Sequence, residues 1–527
     1  MTFRPKKILL SSVFKPFEVD NEYSRYASMT PTAKIQGVFA PRRYASNAGL
    51  HLIANNLESP TVVLDFPTLD GFCKEVRKGY DIIGIGAILC NFAKVKKMVE
   101  EARRLSPNSI IVVGGFCARI PDIEKMVEAD YFCVGEGISF MRKLLGLPEQ
   151  YMFRHPRQVF SSTRELMGVP YLNDKTAEIV VSLGCSYGCN FCSTSEFFGK
   201  RHIRFYKSGA DLFHEMQQKE RQFKTNKFTF LSDNFLLDLD LAEELRQTIA
   251  RNQKMYKIFL FTSADLIQQF GPEKLAELGA DTILIGRESL FSTYEKNKNI
   301  NIKDLVAELR KYGIKTILTS MLLMDHHNKQ NIIVDIDDHI QARPVMSHFP
   351  HYGPVPGTSL YQQKLEENTL IPDIPYEEWH GFKQILFFHP EFTPREAEEI
   401  QMEAYSSEYL RLGPSIMRYI AVEYEGWRNL QKSSNPQLKM RADMFARNMR
   451  VYKILLAAMK NLSKEAEIKS KCDDLLKNIE TAFNRLTTID KAASLFLTCT
   501  GKYRQKATGL FGHSFEPPAM RTYYRNR

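Results

Sequence analysis

Residues 182–197 read SLGCSYGCNFCSTSEF and hold three of the nine cysteines of this 527-residue chain, Cys185, Cys189 and Cys192. Thiolates are soft ligands that suit zinc or iron–sulfur clusters, and a [4Fe–4S] cube usually takes four of them. The spacing Cys-x3-Cys-x2-Cys lets one loop hold three iron corners and leaves the fourth iron open. Structural metal sites are closed, whereas catalytic sites keep one position free. The stretch therefore predicts a catalytic cluster, with a zinc site completed by a distant histidine as the alternative.

The three-cysteine stretch directly follows the first of six predicted strands, which alternate with helices. These strands are AEIVVSLGC, KFTFLSD, YKIFLFTSA, DTILIGRES, IKTILTSMLLM and ARPVMSHFP. Six strand–helix units indicate an α/β fold of the (β/α)6 partial TIM barrel type, whose functional loops follow the carboxyl ends of the strands. The cysteines lie where such a barrel places its chemistry.

Residues 1–146 show the pattern of a second α/β domain. Ile- and Val-rich runs alternate with amphipathic helical stretches, which indicates parallel strands covered on both faces. The pattern predicts a doubly wound, Rossmann-like domain that binds its ligand beyond the carboxyl ends of the strands. Those ends are rich in glycine, at Gly84, Gly86, Gly114, Gly115, Gly135 and Gly137, with Glu136 between the last two. By themselves the glycines support a ligand cleft and tight turns equally.

The rest of the chain divides into three further segments. Residues 147–176 have little periodicity and are predicted to be a linker, and residues 177–371 form the partial barrel. From residue 372 to 527 the strand signals fade, and long helical stretches predict a mostly helical C-terminal domain that ends in an irregular tail.

One C-terminal helical stretch, residues 441–461, has a broad apolar face with basic side chains beside it. Its apolar residues are Met444, Met449, Tyr452, Leu455, Leu456 and Met459. This face either packs against the barrel as core or lies on an anionic membrane surface, and the pattern favours core packing.

The bulk composition fits a globular protein of the cytoplasm. The chain is 44% hydrophobic and 25% charged, and its net charge of +10 would suit an anionic cofactor, substrate or membrane surface. It has no dense basic tract of the kind that binds nucleic acid. It also lacks an apolar run long enough to cross a bilayer and a recognisable signal peptide. The six cysteines outside the quoted stretch are predicted to be small buried hydrophobic residues in a reducing compartment.

Cys185, Cys189, Phe191 and Cys192 together resemble the signature of the radical S-adenosylmethionine (SAM) enzymes. The resemblance implies that the amino and carboxylate groups of S-adenosylmethionine chelate the open iron of a [4Fe–4S] cluster. An electron from the cluster then cleaves the sulfonium, and the resulting 5′-deoxyadenosyl radical abstracts hydrogen from an unactivated carbon. Partners implied in this way are a small-molecule substrate and an electron donor such as flavodoxin or ferredoxin.

The same resemblance suggests S-adenosylmethionine contacts at Phe191 and after the next three strands. The candidates are Ser232, Asp233 and Asn234 after the second strand, Ser263 and Asp265 after the third, and Arg287 and Glu288 after the fourth. The family's usual Gly-Gly-Glu tripeptide is replaced here by Ser-Asp-Asn. Each of these polar residues could instead be an ordinary helix N-cap.

The first domain resembles the B12-binding domain that precedes the barrel in one large radical SAM subclass. The resemblance implies cobalamin between the two domains, contacted by the glycine-rich strand ends and Glu136. Two departures are present: the Asp-x-His-x-x-Gly motif that supplies a lower axial histidine elsewhere is absent, and Gly86 stands where relatives often have a hydroxyl residue. His51 lacks the context of that motif and is predicted to be a structural or a surface residue. The alternative is a relic domain without cofactor.

The reaction implied by this subclass is cobalamin-dependent methylation at carbon, which makes the chain a methyltransferase. The same architecture also serves cyclisation and carbon–carbon bond formation without methyl transfer. A zinc-binding or electron-transfer protein is the rival from another class. The 11% aromatic content permits a hydrophobic cavity. Together with the apolar face of residues 441–461, it points to a small substrate that is a lipid, an isoprenoid or another apolar molecule, with peripheral membrane contact as a further expectation.

Overall fold

The computed structural model describes residues 6–17, 30–40, 42–150, 153–292, 294–511 and 516–525. Two large β-sheets organise these residues, one in the N-terminal region and one in the middle of the chain. Helices cover both sheets, and a bundle of long helices follows the second sheet in the chain. The α/β class predicted from the sequence is confirmed.

The N-terminal sheet has six strands in the order β16-β3-β1-β4-β5-β6. Five of them are parallel and follow the Ile- and Val-rich runs of the sequence. Their order reverses between β1 and β4, and this topological switch point is where doubly wound sheets bind ligands. The strands are β1 (Ile8–Ser12), β3 (Thr61–Asp65), β4 (Ile82–Gly86), β5 (Ile110–Gly114), β6 (Tyr131–Cys133) and β16 (Met520–Tyr524).

The C-terminal tail was expected to be irregular, and this expectation is wrong. Residues Met520–Tyr524 form β16, which pairs antiparallel with β3 at the edge of the N-terminal sheet. Tyr524 Oη lies 2.7 Å from His51 Nδ1, and His51 Nε2 lies 2.7 Å from the buried Asp65 Oδ2. His51 is therefore a structural residue, as predicted. A five-residue strand at the end of a chain carries too little periodicity to be distinguished from a loop by sequence.

The second sheet is a curled half-barrel with the order β15-β14-β13-β12-β11-β8-β7-β2. All six predicted barrel strands are present as a continuous parallel set, from β8 to β15. The eight strands are β2 (Arg42–Ala45), β7 (Phe160–Leu166), β8 (Val169–Val180), β11 (Lys227–Leu231), β12 (Lys257–Phe261), β13 (Ala280–Glu288), β14 (Lys315–Ser320) and β15 (Met346–His348). A short antiparallel pair, β9 (Ser182–Leu183) and β10 (Ile203–Arg204), flanks the first barrel strand.

The segment 147–176, expected to be an unpatterned linker, contains regular structure. Strand β7 and the first part of β8 form an antiparallel hairpin within it, and β2 pairs with the free edge of β7. Met167 and Gly168, the two residues between these strands, both have positive φ, at 51° and 78°. This is the conformation of a tight hairpin turn, which usually has Asn-Gly or Asp-Gly at these positions. The Met-Gly turn explains why the hairpin was not apparent in the sequence.

Helices connect the strands of both sheets. In the N-terminal region they are α1 (Thr30–Gln36), α2 (Ala48–Asn55), α3 (Leu69–Val76), α4 (Phe92–Leu105), α5 (Ile123–Met126) and α6 (Gly137–Leu144). In the barrel they are α7 (Ser193–Phe197), α8 (Gly209–Phe223), α9 (Leu239–Arg251), α10 (Ala264–Phe270), α11 (Pro272–Leu278), α12 (Ile302–Lys311), α13 (Asn331–Gln341) and α14 (Ser359–Glu366). The bundle consists of α15 (Pro394–Leu412), α16 (Ser415–Leu430), α17 (Pro436–Ala446), α18 (Met449–Leu462), α19 (Ala466–Phe483) and α20 (Thr488–Phe511).

The apolar face of residues 441–461 packs into the bundle rather than facing a membrane. Met449, Tyr452, Leu455, Leu456 and Met459 are buried in one cluster with side chains of α16 and α19. The face is therefore core, as predicted, but it packs within the helical bundle rather than against the barrel. Within the residues that the structure describes, no helix is both long and apolar enough to cross a membrane.

A buried group of charges joins the bundle to the amino ends of the barrel strands. Glu423 of α16 is fully buried, and its Oε1 accepts hydrogen bonds from Lys257 Nζ at 2.6 Å and Lys315 Nζ at 2.8 Å. Its Oε2 accepts from Tyr452 Oη at 2.7 Å and Asn448 Nδ2 at 3.0 Å. Although burial opposes ionisation, the two ammonium groups hold the pKa of Glu423 well below its usual range. Glu423 therefore carries a negative charge, and together with Asp281, whose Oδ1 lies 2.6 Å from Lys315 Nζ and 3.9 Å from Lys257 Nζ, it neutralises the two buried lysines.

Replacing Glu423 by glutamine is expected to destabilise the protein by about 3–5 kcal/mol, because it leaves Asp281 as the one carboxylate of this cluster against two buried ammonium groups. Urea unfolding followed by the fluorescence of Trp427, which lies on the same helix, measures the change. The matched control is Glu425→Gln, which breaks a half-exposed ion pair with Arg310 and should cost below about 1 kcal/mol. Equal shifts in the two variants would show that the buried charge does not matter for stability.

Candidate active site

A cavity of about 610 Å³ lies between the N-terminal sheet and the first strands of the half-barrel. Ser12 at the end of β1 and Gly86 at the end of β4 are paired in register at the switch point, and both line this cavity. The barrel contributes Ser182 and Leu183 before the cysteine loop, and Ser232 and Asp233 after β11. Most of the remaining lining is apolar. The cavity therefore has the position and the lining of a buried ligand site.

All seven residues proposed for cobalamin line this cavity, namely Gly84, Gly86, Gly114, Gly115, Gly135, Glu136 and Gly137. At several of these positions, packing against neighbouring side chains also leaves no room for a Cβ. A Cβ on Gly84 would lie 2.7 Å from Leu10 Cδ2, and a Cβ on Gly86 would lie 2.9 Å from Leu50 Cδ2. Leu10 and Leu50 also line the cavity. Because Gly84 and Gly86 have no Cβ, these two leucine side chains can pack against the strands, which leaves the cavity open.

Gly115 and Glu136 have local structural roles at the cavity edge. Gly115 has φ +83°, and a Cβ there would overlap the carbonyl oxygen of Ala87. Only glycine fits this turn. The Glu136 carboxylate caps α6 by accepting hydrogen bonds from the backbone N–H groups of Ile138 and Ser139. Glu136 thus has a structural role as the cap of α6, in addition to its place in the cavity lining.

The cysteine loop is held at the carboxyl end of β8 by contacts of its backbone. Ser195 Oγ donates to the carbonyl of Cys185 at 2.6 Å, and Cys192 N–H donates to the carbonyl of Cys189 at 3.0 Å. The three thiols are unpaired and half-buried. Burial raises the pKa of all three, that of Cys192 to about 11. At neutral pH they carry protons that metal binding would displace.

Asp233 anchors the residue before the first cysteine of the loop. Its Oδ2 accepts a hydrogen bond of 2.6 Å from Gly184 N–H, and the adjacent Ser232 Oγ lies 2.6 Å from Ser182 Oγ. Burial raises the pKa of Asp233 to about 6, against the opposing effect of the Gly184 N–H. The end of β11 thus fixes the start of the cysteine loop.

Asn234 follows β11 and Asp265 follows β12, and their hydrogen bonds connect these strand ends to each other and to the cysteine loop. Asn234 is buried, donates to Ser263 Oγ at 3.1 Å and accepts from Thr262 Oγ1 at 2.8 Å. Asp265 Oδ2 accepts a hydrogen bond from the hydroxyl of Tyr187, which lies within the cysteine loop. Asp265 Oδ1 is buried, and none of the described residues donates to it. A buried acceptor of this kind beside the loop suits a hydroxyl or ammonium group of a ligand.

Arg287 and Glu288 are engaged by other residues of the barrel. Arg287 is buried and forms ion pairs of 2.7 Å with Asp335 and 2.8 Å with Asp338. Glu288 has φ +65° and pairs with Lys296. The charge of Arg287 is therefore balanced by these two aspartates. Of Arg287 and Glu288, it is Glu288 that is connected to the cysteine loop, because its partner Lys296 lies beside Phe191.

Phe191 lies in an aromatic cluster next to the loop. Its ring centroid is 5.2 Å from that of Tyr294 and 6.2 Å from that of Tyr352, and Lys296 Nζ lies 5.6 Å from it. Burial lowers the pKa of Lys296, but Glu288 and the nearby thiols more than offset this and raise it. Lys296 therefore places a positive charge beside a loop that would hold anionic thiolates. Tyr187 and Lys296 were not identified from the sequence, although the position of Tyr187 between two cysteines was an available signal.

The chemistry of the loop fits an iron–sulfur cluster. Within the described ranges, no three His, Cys, Asp or Glu side chains are grouped as the ligands of a single metal ion would be. A [4Fe–4S] cube binds each thiolate at a separate iron corner, so its ligands need not converge on one point. The three half-buried thiols, with Lys296 nearby, supply soft ligands and a compensating charge.

Comparison with known families agrees with the signature of the cysteine loop. Residues 179–338 match the Radical SAM superfamily, and this range includes the cysteine loop, the end of β8 and the four barrel strands β11 to β14. These residues form a radical SAM domain, and the protein is a radical SAM enzyme. The cofactors of such a domain are a [4Fe–4S] cluster and S-adenosylmethionine.

Among characterised proteins, the chain is similar to a bacteriochlorophyllide d C-8(2)-methyltransferase from Chlorobaculum tepidum. The two are 22% identical over 338 residues, which cover 58% of this chain and 72% of the relative. An uncharacterised methyltransferase from Pyrococcus horikoshii is 24% identical over 393 residues, 66% of this chain and 82% of that protein.

Among solved structures, the fold is similar to that of the radical S-adenosylmethionine methyltransferase TsrM from Kitasatospora setae, with cobalamin and a [4Fe–4S] cluster bound. The match covers 91% of this chain and all of TsrM, with a TM-score of 0.53 and 14% sequence identity. At this identity the similarity concerns the fold.

Proposed function

We propose that this radical SAM enzyme is a cobalamin-dependent methyltransferase that acts at an unactivated carbon of a small, apolar or lipid-like molecule. The observation that carries the proposal is the cavity at the switch point of the N-terminal sheet, which opens against the cysteine loop. The strand ends expected to face cobalamin and the segments that flank the three cysteines, Ser182–Leu183 and Thr194, thus line one cavity, whereas the cysteines themselves are not part of its lining. The methyltransferase relative from Chlorobaculum tepidum and the cobalamin bound in TsrM support this interpretation.

Contacts across the domain boundary hold the cysteine loop next to this cavity. Arg119, after β5, donates from Nη1 to the carbonyl of Glu196 in α7 at 2.9 Å. The ring centroids of Phe116 and Phe197 are 4.8 Å apart at the same boundary. Thr194, Phe197 and Phe198, which follow Cys192, line the cavity. A ligand in the cavity would therefore be close to the loop.

The proposed assignment of roles follows the sequence predictions. Cys185, Cys189 and Cys192 would bind the cluster, and the glycine-rich strand ends would face cobalamin. Phe191, Ser232, Asp233, Asn234, Ser263, Asp265 and Glu288 would surround S-adenosylmethionine. Arg287 would act indirectly, by fixing α13 through its ion pairs with Asp335 and Asp338. When bound, the cluster supplies the reducing electron and cobalamin supplies the methyl group.

The proposed organisation has four segments and a small set of partners. They are a B12-binding-like domain at 1–146, a linker at 147–176 that also contributes the β-hairpin, a radical SAM partial barrel at 177–371 and a mostly helical domain at 372–527. The partners are a small-molecule substrate, an electron donor such as flavodoxin or ferredoxin, and a membrane surface. A cytoplasmic location is proposed from the nine unpaired cysteines.

The decisive experiment is anaerobic reconstitution of the full-length protein with iron and sulfide, after expression with cobalamin supplied. The proposal predicts a corrin absorption band that stays with the protein through gel filtration, and formation of both S-adenosylhomocysteine and 5′-deoxyadenosine under reductant. Protein that forms 5′-deoxyadenosine but never retains a corrin would indicate cyclisation or another radical reaction without methyl transfer. Protein without iron–sulfur absorption, but with bound zinc, would overturn the proposal altogether.

A further inference from the structure

Helix α20 carries a row of exposed large apolar side chains on one face. Ile489, Phe496, Tyr503 and Leu510 recur every seven residues and are 74%, 59%, 76% and 77% exposed, respectively. Leu495, beside Phe496, is 61% exposed. At 1.5 Å per residue the 24-residue helix is about 36 Å long, so the row extends along most of its length. Apolar surface of this extent commonly marks a contact site.

The opposite face of α20 is built mostly from small residues, with Leu497 partly buried against the core of the bundle. Ser494 and Thr498 are each only 4% exposed, and Gly501 is buried against α18. A Cβ on Gly501 would lie 2.6 Å from Leu462 Cδ1, so the two helices are in close contact there. A helix that faces water ordinarily buries its large apolar side chains and exposes its small polar ones. Because α20 does the reverse, its outer face is suited to an apolar environment.

The charges of α20 are almost all positive. Lys491, Lys502 and Lys506 are exposed, and the helix contains a single acidic residue, Asp490. Asp490 is buried and accepts a hydrogen bond of 2.9 Å from Arg450. No carboxylate of this helix therefore offsets the three lysines that flank the apolar row. Large apolar side chains flanked by cations are typical of helices that lie in the surface of an anionic bilayer.

We propose that α20 docks the protein on an anionic phospholipid surface, with the helix axis parallel to the membrane and the apolar row inserted. A second copy of the chain is a less suitable occupant, because it would bring the same lysines to the interface and no carboxylate to pair with them. The proposal goes beyond methyl transfer and stands on this helix alone. If the substrate is lipid-like, docking would bring the enzyme to the phase that contains it.

The proposed docking face is remote from the cysteine loop. Thr500 Oγ1 of α20 donates to the carbonyl of Met167 at 3.2 Å, immediately before β8 begins. The cysteine loop follows the other end of β8, which is 12 residues long and therefore spans about 40 Å. Substitutions on the outer face of α20 should consequently leave cleavage of S-adenosylmethionine unchanged.

Flotation of the full-length protein with vesicles tests the proposal. We expect recovery with vesicles of phosphatidylcholine mixed with phosphatidylglycerol, little recovery with phosphatidylcholine alone, and weaker binding as salt is raised. Phe496→Ser combined with Tyr503→Ser should lower partitioning more than about tenfold. Lys502→Gln should lower it about fivefold, which corresponds to about 1 kcal/mol per cation. The matched control is Ile333→Ser, which removes a 66% exposed apolar side chain from α13 and should have no effect.

Two results would overturn the proposal. One is equal recovery of the wild-type protein with neutral and anionic vesicles, or no recovery with either. The other is a dimer in light scattering that becomes a monomer in the Phe496→Ser, Tyr503→Ser variant, which would identify the face as an interface between copies. Circular dichroism and cleavage of S-adenosylmethionine show whether each variant is folded, and these readouts also separate failure of the docking proposal from failure of the proposed reaction.

Discussion

Replacing Cys185 by alanine is expected to abolish cleavage of S-adenosylmethionine and to remove the iron–sulfur absorption of the reconstituted protein. The loop offers three thiols for four iron corners, so the loss of one leaves two ligands for a cluster that already lacks a protein ligand at its open iron. No cysteine elsewhere can easily replace it: Cys73, Cys90, Cys117 and Cys472 are buried in other parts of the fold, and Cys133 lines the cavity from the N-terminal sheet, at the end of β6. Cys499 was expected to be buried but is exposed on α20. The loss should therefore be complete rather than partial.

The measurement is anaerobic reconstitution, iron and sulfide analysis, and quantification of 5′-deoxyadenosine under reductant. Cys499→Ala is the matched control, because it removes an exposed thiol on α20, away from the loop. It should retain the iron content and activity of the wild-type protein. A Cys185→Ala variant that still formed 5′-deoxyadenosine at the wild-type rate would exclude this loop as the cluster site.

The sequence was informative about the two sheets because parallel strands buried on both faces leave a strong signal. Buried strands such as YDIIGIGAI and DTILIGRES read as continuous apolar runs between amphipathic helices, and all predicted strands of both sheets are present. What was missed lacks such a signal. Strands β2 and β16 are edge strands that pair antiparallel with a strand distant in sequence, so they are not continuous apolar runs between helices. Strand β7 was missed because its hairpin turn is Met167-Gly168.

The candidate site was predictable in position but not in detail. The cysteine spacing and the glycine-rich strand ends each pointed to one edge of a sheet, and the structure brings these two edges to one cavity. The partners of single polar residues were not predictable. Arg287 is neutralised by two aspartates of α13, 48 and 51 residues further along the chain, and Glu136 serves as a helix cap. Such pairings depend on tertiary contacts that one sequence does not encode as a pattern.

Replacing Gly49 by tryptophan should prevent the protein from retaining a corrin while leaving its cluster intact. Gly49 lies in the first turn of α2 and lines the cavity. A Cβ at this position would have only Asn47 Oδ1 within 4 Å, at 3.9 Å, so a larger side chain has room to extend into the cavity. Overfilling a well-packed site costs about 1–3 kcal/mol, which corresponds to about a 5- to 150-fold loss of affinity for cobalamin.

Gly49→Ala is the matched control for this substitution, since it removes the glycine without filling the cavity. Alanine should stabilise α2 by about 0.5–1 kcal/mol and retain cobalamin as the wild-type protein does. The corrin absorption that remains after gel filtration measures binding, and iron content reports on the cluster, whose ligands lie on the barrel rather than on α2. If the tryptophan variant bound cobalamin at the wild-type level, the cofactor would have to occupy a different place. Loss of corrin in Gly49→Trp alone, with iron content unchanged in both variants, would locate the cofactor in the space between the N-terminal sheet and the cysteine loop.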